Sequence, residues 1–70
     1  MITYERFWTT LYCKDLTTYV LINKHHISSS TINRLRHNKP ISTETIDKLC
    51  KAMDCDVDDI IKYIDNEQEA

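Results

Sequence analysis

The fold is decided by the stretch TTYVLINKHHISSSTINRLRHN, residues 17–38, which has the pattern of two short helices joined by a tight turn. Its apolar anchors are Leu21, Ile27, Ile32 and Leu35. Only a bent pair of helices places all four anchors in one core and leaves the other face of the second helix in solvent. The stretch therefore predicts a helix-turn-helix unit.

Capping residues mark where the helices of this unit begin. Thr17 is a good N-cap for a helix over residues 18–25, and Ser28 is a good N-cap for the next helix. We expect His26 in the turn, because histidine tolerates the left-handed conformation better than most residues. At the start of the first helix, the backbone N–H groups near Thr17 and Thr18 favour contact with a phosphate.

The outward face of the second of these helices carries polar side chains that suit the major groove of DNA. A helix turns by about 100° per residue, so the positions opposite Ile32 and Leu35 form one face. We expect base contacts from four residues on or beside this face: Ser29, Ser30, Asn33 and Arg34. Lys39, in the loop that follows, and Thr43 are expected to contact the DNA backbone. The alternative is a polar face that meets only water.

The length and composition of the chain restrict both fold and function. Seventy residues make one small domain, in which folding buries about 60% of the chain's surface and leaves no room for a walled enzyme cleft. The chain has no glycine and one proline, Pro40, which favours an all-α fold because hairpin turns usually need glycine. Without an apolar run of about 20 residues or a leader-like N-terminus, we expect a soluble cytoplasmic protein that contacts no membrane.

Charge is divided along the chain, although the total is only −2. Residues 14–40 carry five lysines and arginines against Asp15 alone, a net charge of +4. Residues 41–70 carry three lysines against nine acids, a net charge of −6. A basic segment that coincides with the expected DNA-contacting helix indicates a protein that presents one face to phosphates. Ordinary solvated charge is the alternative.

Three cysteines and two adjacent histidines raise the question of a disulfide or a metal site. Cys13, Cys50 and Cys55 are odd in number and lack C-x-x-C spacing, so we expect no disulfide framework. Cys50 is expected in the core, and Cys55 in a more exposed loop. His25 and His26 would point about 100° apart on a helix, so we predict no metal site and no cofactor.

Three further helices are expected to complete an all-α, five-helix domain over residues 1–64. Helix one should begin near Thr3, as its N-cap, and end by Asp15. Its expected apolar stripe consists of Tyr4, Phe7, Trp8, Leu11 and Tyr12. This stripe is interpreted as part of the core, with stacking on single-stranded bases as the weaker alternative.

The last two helices follow the same apolar pattern. Ser42 should cap helix four, and Asp56 should cap helix five. The stripe of helix four is Ile46, Leu49, Cys50 and Met53, and that of helix five is Val57, Ile60, Ile61 and Ile64. Residues 65–70 are polar and acidic, so we expect a disordered tail there.

Two segments connect these patterns with a known family: TTYVLINKHHISSSTINRLRHNK and the closing TIDKLCKAMDCDVDDII. Over residues 4–64, the chain resembles the Cro and lambda-repressor-like regulators, also called the XRE type. At four positions where the family often has a small residue, glycine, glutamine or glutamate, the chain has Ile22, His26, Thr18 and Arg36. The resemblance implies a compact five-helix fold, the base contacts named above, and backbone contacts from Thr18, His37 and Lys39. It also implies a bacterial or phage source and a homodimer on a near-palindromic operator.

The residues and the resemblance together predict a sequence-specific transcriptional regulator, a repressor, that binds double-stranded DNA. The alternative is a protein-interaction module of the same fold, such as an antitoxin or phage regulator, with acidic helices four and five on a protein partner. An enzyme is not predicted, because no nucleophile, base and orienting group fall together at useful spacing. We expect Tyr63, beside the apolar stripe of helix five, to contribute to the homodimer surface.

Overall fold

The computed structural model describes residues 1–65. In that part of the chain the elements are β1 at Ile2–Thr3, α1 at Glu5–Cys13, α2 at Thr18–Lys24, α3 at Ser29–Arg36, α4 at Thr43–Met53, a turn of 3-10 helix at Val57–Asp59 and β2 at Lys62–Tyr63. A mainly helical fold with a helix-turn-helix at α2 and α3 is confirmed. The expected tail lies, apart from Asp65, outside the described residues.

The predicted fifth helix is wrong. Its segment forms only the 3-10 turn and then extends to pair with β1 in an antiparallel ribbon, which sequence analysis did not predict. The register places Ile2 opposite Tyr63 and Thr3 opposite Lys62. Beyond this pair, the N–H of Ile64 donates to the carbonyl of Met1 at 2.7 Å. These hydrogen bonds join the segment to residues about 60 positions away. They occupy backbone N–H and C=O groups that would pair with one another in a helix.

The first helix also differs from the prediction. Thr3, the expected N-cap, lies in β1, and Tyr4 occupies the N-cap position. Tyr12, expected in the core stripe, is 86% exposed. Phe7 is fully buried, and its ring meets the ring of Trp8 edge to face at 4.8 Å between centroids. The buried stripe of α1 is therefore narrower than predicted, because a small core is covered by one side of the helix.

Three of the predicted N-caps are confirmed by hydrogen bonds. The hydroxyl groups of Thr17, Ser28 and Ser42 accept from the backbone N–H three residues on, at 3.2, 3.1 and 3.1 Å. Each bond satisfies an N–H group that the start of a helix leaves without an intrahelical acceptor.

The chain leaves its helices through residues with positive φ, namely Asp15, His26, Asn38 and Asp54. Asparagine, aspartate and histidine tolerate this left-handed region better than other residues that carry a Cβ atom. One of the four follows each α-helix, so a chain without glycine can still turn sharply after every helix.

The core collects buried side chains from all four helices and from the C-terminal segment. Its members are Tyr4, Phe7, Leu11, Leu21, Ile27, Ile32, Leu35, Leu49, Met53 and Ile60. The four anchors of the helix-turn-helix unit are all among them, which confirms the predicted packing. Ile46 and Cys50 of α4 are half-buried at its edge. None of the helices within residues 1–65 has the length and apolar character needed to cross a membrane.

Candidate nucleic-acid interface

The turn between α2 and α3 has the sharp geometry that the sequence predicted. His26 lies in the left-handed region with φ 59°. The N–H of Ile27 then donates to the carbonyl of Leu21 at 3.0 Å, and the Ile27 side chain is 3% exposed. This hydrogen bond and the buried Ile27 side chain together fix the angle between α2 and α3. The outer face of α3 is therefore held in a fixed orientation relative to the core.

The outer face of α3 carries the side chains that were expected to contact bases. Ser29, Ser30, Asn33 and Arg34 are all exposed, whereas Thr31, Ile32 and Leu35 are buried. The helix is anchored on one side and presents hydroxyl, amide and guanidinium groups on the other. These groups can bond to base edges. The structure therefore places the four candidates on one exposed surface, and their contact with bases stays a prediction.

Four of the five residues expected to contact the DNA backbone are exposed in the structure. Thr17, His37, Lys39 and Thr43 are exposed, and Thr18 is half-buried. The ring of His37 lies with Nδ1 2.9 Å from the carbonyl of Asn33. A carbonyl can only accept, so Nδ1 is the donor of this hydrogen bond. Backbone contact by all five stays a prediction.

Not all of the basic side chains in residues 14–40 are available to contact DNA, because two of them make contacts within the protein. Nζ of Lys14 donates to the carbonyl of Asp54 at 3.0 Å, which fastens it to the acidic part of the chain. The guanidinium of Arg36 lies 4.9 Å from the centre of the Trp8 ring, in a cation–π contact. The lysines and arginines left for DNA in this segment are Lys24, Arg34 and Lys39, all exposed.

Side-chain hydrogen bonds fasten the acidic C-terminal segment to α1. The side chains of Arg6 and Thr10 donate to the carbonyls of Asp58 and Asp59, at 3.1 and 2.8 Å. Lys51 and Asp47 form an ion pair at 3.5 Å on α4, and both side chains are well exposed. The start of the C-terminal segment is thus held by α1.

One group of contacts, at the loop after α3, was not predicted from the sequence. Tyr4 is buried and its backbone N–H donates to Oδ1 of Asn38 at 3.2 Å. Its hydroxyl donates to the carbonyl of Lys39 at 2.7 Å. Burial raises the pKa of the Tyr4 hydroxyl, while a hydrogen bond with the backbone of Ile41 lowers that pKa by a smaller amount. The partners are more than 30 positions apart, so no local sequence pattern could have indicated them.

The thiols differ from their expected places. Cys13 is exposed, and Cys50 and Cys55 are both half-buried, so Cys55 is not exposed as the sequence suggested. Burial raises the pKa of both half-buried thiols, that of Cys55 to about 11. These two thiols are therefore protonated at neutral pH and poorly nucleophilic. Among the side chains of residues 1–65, no three histidines, cysteines or carboxylates gather into a possible metal site.

Comparison with known proteins agrees with this geometry. A family model described as the Cro/C1-type HTH DNA-binding domain matches residues 6–66. The crystal structure of the transcriptional regulator VanUg, Form II, is similar with a TM-score of 0.81 and 27% sequence identity, covering 90% of this chain and 84% of that one. A search of curated proteins finds no match. With a buried helix-turn-helix core, an exposed polar α3 and a family match over most of its length, the chain belongs to the Cro/C1-type helix-turn-helix family of DNA-binding transcriptional regulators.

Proposed function

We propose that the protein is a sequence-specific repressor that contacts bases in the major groove through α3. The observation that carries this proposal is the face of α3, where Ser29, Ser30, Asn33 and Arg34 are exposed on a helix anchored by three buried neighbours. An α-helix fits the major groove, and its donors and acceptors match the edges of base pairs there. A regulator that occupies its operator can act by blocking access to that DNA.

The proposal predicts selective and salt-dependent DNA binding. Selection of duplexes from a random pool should enrich one sequence. Because the exposed Lys24 and Lys39 are available for phosphates, affinity should fall as salt is raised. Fluorescence anisotropy with the enriched duplex and with a scrambled duplex of equal length measures both effects. Equal affinity for the two duplexes would contradict base recognition by α3, and salt-independent binding would contradict the assigned phosphate contacts.

We further propose that the working unit is a homodimer. One copy offers one short DNA-contacting helix, and single modules bury only about 600 to 1,000 Å² on DNA. Two copies about a two-fold axis would double the contact and separate the two α3 helices by about 34 Å. The operator would then be an inverted repeat, with half-site centres about ten base pairs apart.

The surface proposed for the second copy lies around the β-ribbon and the 3-10 turn. The exposed apolar side chains there are Met1, Ile2, Val57 and Tyr63. Beside them run two grooves that share Ile46 and Ile61 as lining residues. If a second copy packed the same apolar surface against this one, the exposed apolar side chains of both copies would be buried together. This is the self-complementary arrangement of a two-fold dimer.

Sedimentation with a duplex carrying the selected site tests the dimer. We expect two chains per duplex, and one chain per duplex in a Tyr63→Asp variant, because the new carboxylate would be buried against apolar groups. The matched control is Tyr12→Asp, which places the same change on α1 at a side chain that is 86% exposed. One wild-type chain per duplex at every protein concentration would disprove the dimer. Two chains per duplex in both variants would place the interface elsewhere.

A further inference from the structure

We propose that Asn38 is a further contact to the DNA backbone and that Tyr4 is the residue that positions it. The inference rests on DNA binding through α3, because Asn38 follows that helix directly. Neither residue was expected to contribute to DNA binding from its place in the sequence. The contact would be a hydrogen bond from the Asn38 side-chain amide to a phosphate oxygen.

The orientation of the Asn38 amide follows from its partner. The backbone N–H of Tyr4 is a donor, so the atom it meets at 3.2 Å must be the amide oxygen, Oδ1. With the oxygen directed at Tyr4, the Nδ2 group is directed away from it on the same planar amide. Nδ2 has no hydrogen-bond partner within residues 1–65, and Asn38 is exposed. Two N–H donors are thus held on the surface at the end of α3.

The loop that carries this amide is fastened at several points. Asn38 itself has φ 54°, a conformation that asparagine adopts readily. The next residue, Lys39, is held through both backbone groups: its N–H donates to the carbonyl of Arg34 at 2.8 Å, and its carbonyl accepts from the Tyr4 hydroxyl at 2.7 Å. Because Tyr4 is only 4% exposed, the core itself holds the loop.

A phosphate is the ligand that fits these donors. Its oxygens only accept hydrogen bonds, and the Asn38 amide and the Lys39 ammonium supply donors from neighbouring residues. Half or more of protein–DNA hydrogen bonds go to phosphate and sugar, and amide side chains are among the usual donors. A loop that is already rigid loses little conformational entropy when it binds. The Tyr4 clamp, defined as its two hydrogen bonds to Asn38 and Lys39, therefore prepares the loop for the DNA backbone.

Substitution of Asn38 separates the contact from the clamp. Asn38→Asp keeps an oxygen for the Tyr4 N–H and tolerates positive φ, but it replaces both donors with a carboxylate oxygen. We expect an unchanged melting temperature and a loss of roughly tenfold or more in affinity, for the selected and the scrambled duplex alike, which is the equivalent of one hydrogen bond to a charged group. Asn23→Asp, at an exposed position of α2, is the control for added negative charge.

A neutral variant supplies a second measurement should Asn38→Asp fold poorly. Asn38→Gly also permits positive φ and removes the donors without adding charge. We expect weaker binding to both duplexes with an unchanged salt dependence, because a neutral amide displaces no counterion from DNA. Lys39→Ala differs, since it should lower the salt slope by about one. Wild-type affinity in folded Asn38→Gly, or equal losses in Asn38→Asp and Asn23→Asp, would overturn the contact.

The positioning role of Tyr4 has its own readout. Tyr4→Phe removes only the hydroxyl that holds the Lys39 carbonyl. If the clamp acts through the loop, Tyr4→Phe should weaken DNA binding less in an Asn38→Gly background than in the wild type, measured as a double-mutant cycle. Additive losses would show that Tyr4 does not act through Asn38. The wild-type salt dependence, measured in parallel, shows independently whether DNA is bound.

Discussion

Replacing Phe7 with alanine should lower the free energy of unfolding by about 3 to 5 kcal/mol. Phe7 is fully buried in the centre of the core and contacts the edge of the Trp8 ring. Truncation removes this apolar contact and leaves a cavity that the nine other residues of the buried core can close only in part. A small domain has a total stability of only about 5 to 15 kcal/mol, so the variant should be close to unfolded at physiological temperature.

Chemical denaturation followed by circular dichroism measures this loss. The control is Tyr12→Ala, in the same helix, where an aromatic ring of similar size is 86% exposed. Its change should stay within about 0.5 kcal/mol, as is usual for surface positions. Comparable losses in the two variants would mean that both rings belong to the core. DNA binding by Phe7→Ala should recover at low temperature in proportion to the folded fraction, because Phe7 lies away from the exposed face of α3.

Arg34→Ala and Lys39→Ala should weaken DNA binding in different ways. Arg34 is exposed on α3 at a position that can contact a base, so its loss should cost about 1 to 3 kcal/mol and relax the preference at one position of the operator. Lys39 lies in the loop beside the helix. Its loss should weaken all sequences alike and lower the salt slope by about one.

Binding isotherms at several salt concentrations, on the selected and the scrambled duplex, separate the two effects. Lys48→Ala provides the control, because Lys48 is an exposed lysine on α4, within the acidic half of the chain. It should leave affinity and salt slope near their wild-type values. An Arg34→Ala variant that weakens both duplexes equally would reassign Arg34 to the phosphates.

The helix-turn-helix unit could be predicted because its determinants are local. Thr17 and Ser28 cap helices through hydrogen bonds to residues three positions on, and a serine or threonine before an apolar repeat indicates such a cap. The anchors Ile32 and Leu35 are three residues apart on α3, at helical spacing, and both are buried. His26 stands where a chain without glycine needs a residue that tolerates positive φ. The polar face of α3 then follows from helix geometry alone.

The predictions that failed depended on which segments meet. The pattern Val57, Ile60, Ile61 and Ile64 is typical of a helix. In the fold Ile60 is fully buried while Val57 is 47% exposed, and the backbone beyond them pairs with β1 instead. A repeat of apolar residues cannot distinguish these outcomes, because the competing hydrogen-bond partner lies at the other end of the chain.

The sequence by itself determined the local elements of the DNA-binding unit: its caps, its turn, its buried anchors and its exposed polar face. Only the tertiary structure decided how the two ends of the chain combine, which basic residues are diverted from DNA, and how Tyr4 holds the loop at Asn38. The physical reason is the distance along the chain between the groups that interact. Capping and helical periodicity act within about four residues, whereas these contacts join groups that become neighbours only when the core has formed.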